Sequence, residues 1–206
     1  MSKKIIYAFR LVHILNIPHV LQYGFVHRTS PHADSNYVSI GDSTIIDIRN
    51  TRHVNKKNTI GDFIPLYFGP RSPMLYVIQH GYNGVKQISP EELVYCIIRL
   101  EDIVNSPVRC CFTDGHAMNM ITNWYGKERL KDINNIIKYD DVYIANWVNE
   151  DDRDLKRRKE AELLLLDDLP VQYIRGFAVY NEMAKVRLEE YGVKSSQIAI
   201  RPNFYF

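Results

Sequence analysis

The hydrophobic positions of the chain fall into short runs that have the length of β-strands and are separated by polar segments. The clearest run is LVYCIIR at 93–99, which is apolar enough for a strand buried on both faces. Similar runs predict strands at 5–12, 63–68, 108–113, 162–166, 174–179 and 198–201, and the C-terminal FYF is expected to be extended as well. For 162–166 the length and the neighbouring residues favour a strand, but periodicity alone does not exclude a helix. Pro65 lacks a backbone donor, which favours an edge strand or a bulge at 63–68.

Helical spacing is clear in two places. Residues 16–23 place apolar side chains on one side of a helix that Gly24 ends. Asn181 is a suitable N-cap for a helix over 182–191, and Gly192 is a typical residue just beyond a helix C-terminus.

The remaining segments give weaker patterns. We predict a short helix or turn at 71–78, helical segments at 117–125 and 128–137, and a mostly irregular segment at 26–52. Residues 139–159 are the most polar part of the chain. Strands dominate, with helices between them, so the expected fold class is α+β rather than regular βαβ winding. One domain is expected over residues 1–206.

Composition excludes several classes of protein. The 206 residues include 26 Lys and Arg against 24 Asp and Glu, a net charge of +2, and 46% are hydrophobic. These values are typical of a globular protein and exclude a histone-like polycation. Aromatic residues reach 12%, which suits either a large core or a surface on which bases or flat cofactor rings stack.

Location and metal content follow from what the sequence lacks. Three cysteines without a CxxC pair predict neither a disulfide framework nor a zinc site, and we expect no metal. No apolar run reaches the length of about 18 residues that a membrane span needs. Arg10 interrupts the apolar N-terminal segment, and no small-residue cleavage site follows it. We therefore expect a cytoplasmic protein with no membrane partner.

Common nucleotide-binding, metalloprotease and hydrolase motifs are absent, so the candidate residues are scattered. His13 and His116 each follow a predicted strand, a common position for site residues, although a histidine at a turn more often has a structural role. Glu162 begins an apolar strand, where partial burial would suit a carboxylate to acid–base chemistry, although spacing alone favours a solvated residue at a strand end. The cations at 156–159 form either a solvated face or an edge that contacts phosphates.

Six segments taken together resemble the DarT family of DNA ADP-ribosyltransferase toxins. They occur in family order along almost the entire chain, and the third is long and specific. The segments are FRLVHILNIPHVLQYG at 9–24, IGD…TR at 40–52, DFIPLYFGPRSPMLY at 62–76, CFTDGHA at 111–117, KEAELL at 159–164 and NFYF at 203–206. The resemblance implies the ADP-ribosyltransferase fold, a split and mostly antiparallel β core surrounded by helices.

The resemblance also implies an activity. The family transfers ADP-ribose from NAD to a base of single-stranded DNA, best known for thymidine, and is paired with an antitoxin that reverses the modification by ADP-ribosyl hydrolysis. Glu162 matches the catalytic glutamate, and Arg52 matches an arginine that holds NAD and assists the transfer. The implied NAD-binding residues are Arg10, Leu11, Val12, His13, Asn16, Arg52, Tyr67 and Met74.

On the DNA side, His116 matches the segment expected near the acceptor nucleotide, and residues 139–159 match the loop that selects the substrate. Single strands are usually held by stacking surfaces and a cationic track. Arg153, Lys156, Arg157 and Arg158 are the candidates for that track.

Two other functions remain open at this point. One is an ADP-ribosyltransferase with a different acceptor, such as guanosine in DNA, RNA or a protein. The other is a non-catalytic nucleic-acid-binding module whose NAD pocket has decayed, although Arg52, Tyr67 and Glu162 favour an enzyme.

Overall fold

The computed structural model describes residues 3–206, and within them the chain forms eight β-strands and eight α-helices. The strands are β1 (Tyr7–His13), β2 (Ile64–Tyr67), β3 (Leu93–Arg99), β4 (Cys110–Thr113), β5 (Trp124–Gly126), β6 (Glu162–Leu165), β7 (Ile174–Val179) and β8 (Ile198–Ile200). The helices are α1 (Ile17–Tyr23), α2 (Ser43–Thr51), α3 (Pro73–His80), α4 (Leu100–Asn105), α5 (Ile133–Ile136), α6 (Tyr139–Tyr143), α7 (Leu155–Lys159) and α8 (Glu182–Glu190). The predicted α+β class is confirmed.

All eight strands lie in a single sheet in the order β5-β4-β6-β2-β1-β3-β7-β8. Every neighbouring pair is antiparallel except β7 and β8, which are parallel. Seven register pairs join β1 to β3, whereas Phe9↔Tyr67 is the one register pair between β1 and β2. The sheet is therefore split between its two central strands, as the family resemblance implied.

The prediction that Pro65 marks an edge strand or a bulge was wrong, because β2 lies in the middle of the sheet between β6 and β1. The Pro65 carbonyl oxygen faces β1, where it accepts a hydrogen bond of 2.8 Å from the Arg10 guanidinium. The nitrogen and oxygen of one strand residue point to the same side. The Pro65 nitrogen, which has no hydrogen to donate, therefore faces the split, where no backbone hydrogen bond to β1 is needed.

Apolar side chains cover both faces of the sheet. One cluster contains alternate residues of β1, Ala8 and Val12, and the other contains Phe9 and Leu11. On the second face the C-terminal segment is fixed by Tyr205, whose buried hydroxyl lies 3.0 Å from the carbonyl oxygens of both Leu93 and Ala178. Phe9 and Tyr205 are therefore among the aromatic residues that form the core.

Residues 26–52 are mostly irregular, as predicted, except that Ser43–Thr51 forms α2, because the Asp42 carboxylate caps the backbone N–H groups of Thr44 and Ile45. Two other predictions of local structure were wrong. Residues 117–125 form turns followed by β5 rather than a helix. The C-terminal FYF is not a strand, since Pro202–Phe204 is a 3₁₀ turn followed by irregular backbone. Within residues 3–206, no helix has both the length and the apolar character that crossing a membrane requires.

Candidate active site

A fully buried carboxylate, Glu162, lies at the first position of β6. Its two oxygens face the guanidinium of Arg49, with Arg49 Nη2 at 3.0 Å from Oε2 and Nη1 at 3.3 Å from Oε1. The backbone N–H of Ala117 donates to Oε1 at 2.9 Å. The Glu162 backbone N–H donates to Thr113 Oγ1 at 3.2 Å. A buried charge needs this kind of pairing and hydrogen bonding, which also fixes the orientation of the carboxylate.

Arg49 is the residue that sequence reasoning missed. It lies in the last turn of α2 and is nearly buried. Burial alone would lower the pKa of Arg49, but the adjacent Glu162 carboxylate outweighs burial and raises it. The available signal was Asp42, a typical N-cap residue that predicts a helix beginning at Ser43.

The predicted Arg52 lies at the end of the same helix but points elsewhere. Its backbone is extended, and its guanidinium donates to the carbonyl oxygen of Met118. Arg52 therefore holds the loop after β4, while Arg49 holds Glu162. Both cations lie near His116. Burial lowers the pKa of His116, and this effect outweighs the Glu162 carboxylate, which raises it.

Tyr67 lies beside Glu162, because the two are register partners of β2 and β6. Phe9 of β1 is the register partner of Tyr67, so all three side chains project from the same face of the sheet. The Tyr67 hydroxyl lies 4.0 Å from Met74 Sδ of α3. Burial and the negative Glu162 raise the pKa of Tyr67, so the phenol stays neutral. The structure thus brings together three predicted residues, Glu162, Tyr67 and Met74.

The split between β1 and β2 opens into a cavity of about 370 Å³. Arg10 and Val12 line it from β1, Ile64 and Pro65 from β2, and Asn50 from α2. Its other walls come from α1 and from residues between 24 and 39. The volume lies in the range of small-molecule sites.

The predicted N-terminal residues do not all face one cavity. Side chains alternate along β1, so Leu11 and His13 share the face of Phe9 and Glu162, while Arg10 and Val12 lie on the opposite face. His13 lines a second cavity, of about 290 Å³, and its Nδ1 accepts a hydrogen bond from Leu15 N at 3.2 Å.

Asn16 acts on the segment that borders both cavities. Its side chain donates to the Val38 carbonyl oxygen and accepts from the Val38 N–H, each at 2.9 Å. Ser39, the next residue, lines both cavities. Asn16 is therefore a positioning residue for the cavity wall.

Two of the four predicted DNA-binding cations are paired with carboxylates inside the protein. Arg157 contacts Asp114 and Asp154 at 2.9 and 2.7 Å. Arg158 contacts three aspartates, Asp141, Asp152 and Asp154, at 2.7, 2.6 and 3.1 Å respectively. These contacts hold residues 141–158 against the loop after β4. Arg153 and Lys156 are exposed, and no ion pair involves them within residues 3–206.

Two further titratable groups, Lys159 and Glu160, precede Glu162. Lys159 is buried, and its Nζ donates to the carbonyl oxygens of Pro70 and Val142 at 2.7 and 2.6 Å. Burial, and to a lesser degree the nearby Arg71 guanidinium, lowers the pKa of Lys159 to about 7. Burial raises the pKa of Glu160 to about 7.

The site can stabilise a developing positive charge and accept a proton, because Arg49 and the Ala117 N–H hold the Glu162 carboxylate in a fixed orientation. Among residues 3–206, no three His, Cys, Asp or Glu side chains cluster closely enough to hold a metal ion.

Comparison with known proteins identifies the relatives of this chain. Residues 9–206 match the family described as ssDNA thymidine ADP-ribosyltransferase, DarT. A DNA ADP-ribosyl transferase from Escherichia coli O127:H6 is 30% identical over 194 residues, which cover 89% of this chain and 84% of that protein. A DNA ADP-ribosyl transferase–DNA ADP-ribosyl glycohydrolase fusion protein from Thermosipho africanus is 28% identical over 96% of this chain and 49% of its own length.

Solved structures of a Thermus sp. 2.9 relative show the same fold. Its complex with ADP-ribosylated ssDNA superposes with a TM-score of 0.82 at 22% identity and covers 100% of this chain and 99% of that one. Its complex with NAD+ gives a TM-score of 0.75 at 21% identity, with 100% of both chains covered.

Proposed function

Since the chain belongs to the DarT family of ssDNA thymidine ADP-ribosyltransferases, we propose that Glu162 is its catalytic carboxylate. The enzyme uses NAD+ as co-substrate and single-stranded DNA as acceptor. The observation that carries the residue assignment is the buried Glu162 carboxylate, which Arg49 and the Ala117 N–H orient beside Tyr67, the residue that joins β2 to β1.

The first half of the reaction breaks the bond between nicotinamide and ribose. As this bond lengthens, positive charge develops on the ribose, as in glycoside hydrolysis. A carboxylate fixed before the reaction begins stabilises that charge without a cost in reorganisation. We assign this role to Glu162, whose carboxylate the Arg49 guanidinium holds in place.

The second half joins the ribose carbon to the thymine ring nitrogen. That nitrogen must lose its proton as the new bond forms, and Glu162 is the acceptor we assign. The products are ADP-ribosylated DNA, free nicotinamide and a proton that Glu162 passes to solvent. General-base assistance of this kind contributes about 10²–10⁴-fold.

Two observations on the cleft, and one on Tyr67 and Glu162, which do not line it, support an NAD+ site around the split. The cleft volume of about 370 Å³ fits part of a dinucleotide, and the Arg10 guanidinium at its wall suits an anionic pyrophosphate. The half-buried Tyr67 ring is available for stacking on nicotinamide next to Glu162. Leu11, Val12, His13 and Met74 remain proposed contacts, and Asn16 acts through the segment it positions.

On the DNA side we assign phosphate contacts to Arg153 and Lys156, because both are exposed. Arg157 and Arg158 position the loop that carries them, since aspartates occupy their guanidinium groups. His116 remains the proposed neighbour of the acceptor base.

An antitoxin that removes ADP-ribose from DNA is the partner we propose, with support from the Thermosipho fusion protein, whose name combines both activities. An enzyme that modifies DNA works where the DNA is held, so the cytoplasm remains the proposed location.

The test is an NAD+-dependent mass shift on a single-stranded oligonucleotide that contains one thymidine, compared with guanosine-only DNA and with RNA. Glu162→Gln keeps the shape of the side chain and removes its charge. We expect this variant to lose about 10²–10⁴-fold in transfer rate while remaining folded.

Glu101→Gln, at an exposed position of α4, is the matched control and should transfer at the wild-type rate. If only the guanosine-only DNA or only the RNA is modified, the acceptor is not thymidine in single-stranded DNA. A Glu162→Gln rate within tenfold of wild type would contradict the catalytic assignment.

A further inference from the structure

Two consecutive apolar side chains, Met120 and Ile121, project into solvent from the loop that follows β4. Met120 is 91% exposed and Ile121 is 67% exposed, although Ala117 and Thr122 on either side are buried. We call Met120 and Ile121 the apolar tip. Single exposed apolar residues are common on protein surfaces. Two adjacent ones, on the loop whose Ala117 N–H contacts Glu162, are candidates for contact with a ligand.

The loop is attached directly to the catalytic carboxylate. The Ala117 N–H donates to Glu162 Oε1 at 2.9 Å, and the next residue, Met118, receives the Arg52 guanidinium on its carbonyl oxygen. The apolar tip therefore begins two residues beyond Met118, at a place fixed relative to Glu162.

The loop is also closed on itself. The Asn119 side chain accepts a hydrogen bond from the Ile121 N–H at 3.1 Å, and Thr122 Oγ1 donates to the His116 carbonyl oxygen at 2.9 Å. The following residue, Asn123, donates twice to the Asp114 carboxylate, at 3.0 and 2.8 Å. These bonds present the tip in one conformation rather than as a mobile end.

Single-stranded DNA poses a problem that such a tip solves. Neighbouring bases stack on each other, and the target thymine must leave its neighbour before its ring nitrogen reaches the reacting ribose carbon. Proteins separate stacked bases by inserting apolar side chains, among them Met and Ile. The thioether of methionine also makes favourable contacts with aromatic rings.

We propose that Met120 and Ile121 form a wedge that binds the base adjacent to the target thymine and holds it apart from that thymine. The inference rests on the proposed function, because it requires single-stranded DNA as the acceptor. It adds a binding subsite for a flanking base, next to the site of chemistry.

The experiment compares Met120→Ser, Ile121→Ser and the double variant with Met183→Ser. Met183 is 60% exposed on α8 and serves as the matched control. Each protein is assayed on a short oligonucleotide with one thymidine, and on the same oligonucleotide with an abasic site before or after the thymidine. The NAD+ dissociation constant and the thermal midpoint are measured in parallel.

We expect the double variant to lose about tenfold in kcat/KM for the intact oligonucleotide, which corresponds to the contribution of one base contact. On the oligonucleotide with the relevant abasic site, wild type and variant should agree within about twofold, since the contact no longer exists. Met183→Ser should match wild type on all substrates. NAD+ affinity should not change.

An unchanged rate in the double variant overturns the wedge. An equal loss on the abasic oligonucleotides also overturns it, because the tip would then act elsewhere, for example on a protein partner. If the wild-type enzyme leaves the intact oligonucleotide unmodified, the proposed function fails first, and the wedge fails with it.

Discussion

Replacing Arg49 with Met tests the buried ion pair in isolation. The substitution keeps an unbranched side chain of similar length and removes the guanidinium that faces both oxygens of Glu162. The Ala117 N–H remains as a donor to the carboxylate. Breaking a buried pair by removing one partner typically costs about 3–5 kcal/mol.

The free energy of unfolding should therefore fall by about 3–5 kcal/mol. Because a domain is stable by only about 5–15 kcal/mol, the loss is large enough to measure by urea denaturation.

The same measurement on Glu162→Gln and on the double variant closes a thermodynamic cycle. In the Glu162→Gln background Arg49 has already lost its carboxylate partner, and Arg49→Met then removes the unpaired charge, so the substitution should cost much less there. Arg109→Met is the control, since Arg109 and Asp167 form a pair whose side chains are 71% and 31% exposed. Such surface pairs contribute about 1 kcal/mol or less. A cost of Arg49→Met below about 1 kcal/mol, or an equal cost in both backgrounds, would refute the reasoning.

Two further variants test other parts of the protein. Reversing the charge of Arg153 and Lys156 together should weaken binding of single-stranded DNA and flatten the slope of log K against log[salt] by about 0.7 per lost phosphate contact. The control Lys194→Glu should leave both the affinity and the slope unchanged. Fluorescence anisotropy at several salt concentrations measures both quantities, and an unaltered slope in the double variant would contradict the assignment. Glu160→Gln should alter the pH dependence of the free energy of unfolding. Because the pKa of Glu160 is raised to about 7, the folded state keeps a proton that the unfolded state releases above about pH 4.5. The wild type therefore loses stability as the pH rises toward 7. The variant should lack this loss, and denaturation at pH 5 and at pH 8 checks it against the exposed Glu150→Gln control.

The sheet was largely predictable from the sequence because its strands are buried. The run at 93–99 is β3 with the predicted bounds, and 174–179 is β7. Helix α2 was not predicted, because none of its residues is buried and its isoleucines are exposed. Without an apolar stripe, the 3.6-residue period carries no information.

The site was predictable to the level of elements but not of every side chain. Arg49 and Arg52 lie three residues apart, and the sequence does not say which one turns toward Glu162. The extended backbone at the end of α2 directs Arg52 to Met118 instead. Likewise, the cations at 157 and 158 are paired partly with Asp114 and Asp141, which lie far away in sequence and close by in the fold.

The single register pair between Phe9 and Tyr67 has a mechanical consequence. Four strands on one side of that pair carry Glu162, and four strands on the other side carry the opposite wall of the cleft. Across this junction the Arg10 guanidinium, rather than a backbone ladder, reaches the Pro65 carbonyl oxygen. Side-chain packing rather than a backbone ladder therefore sets the spacing of the two halves, and we expect that spacing to change at a lower cost than the spacing of strands within either half.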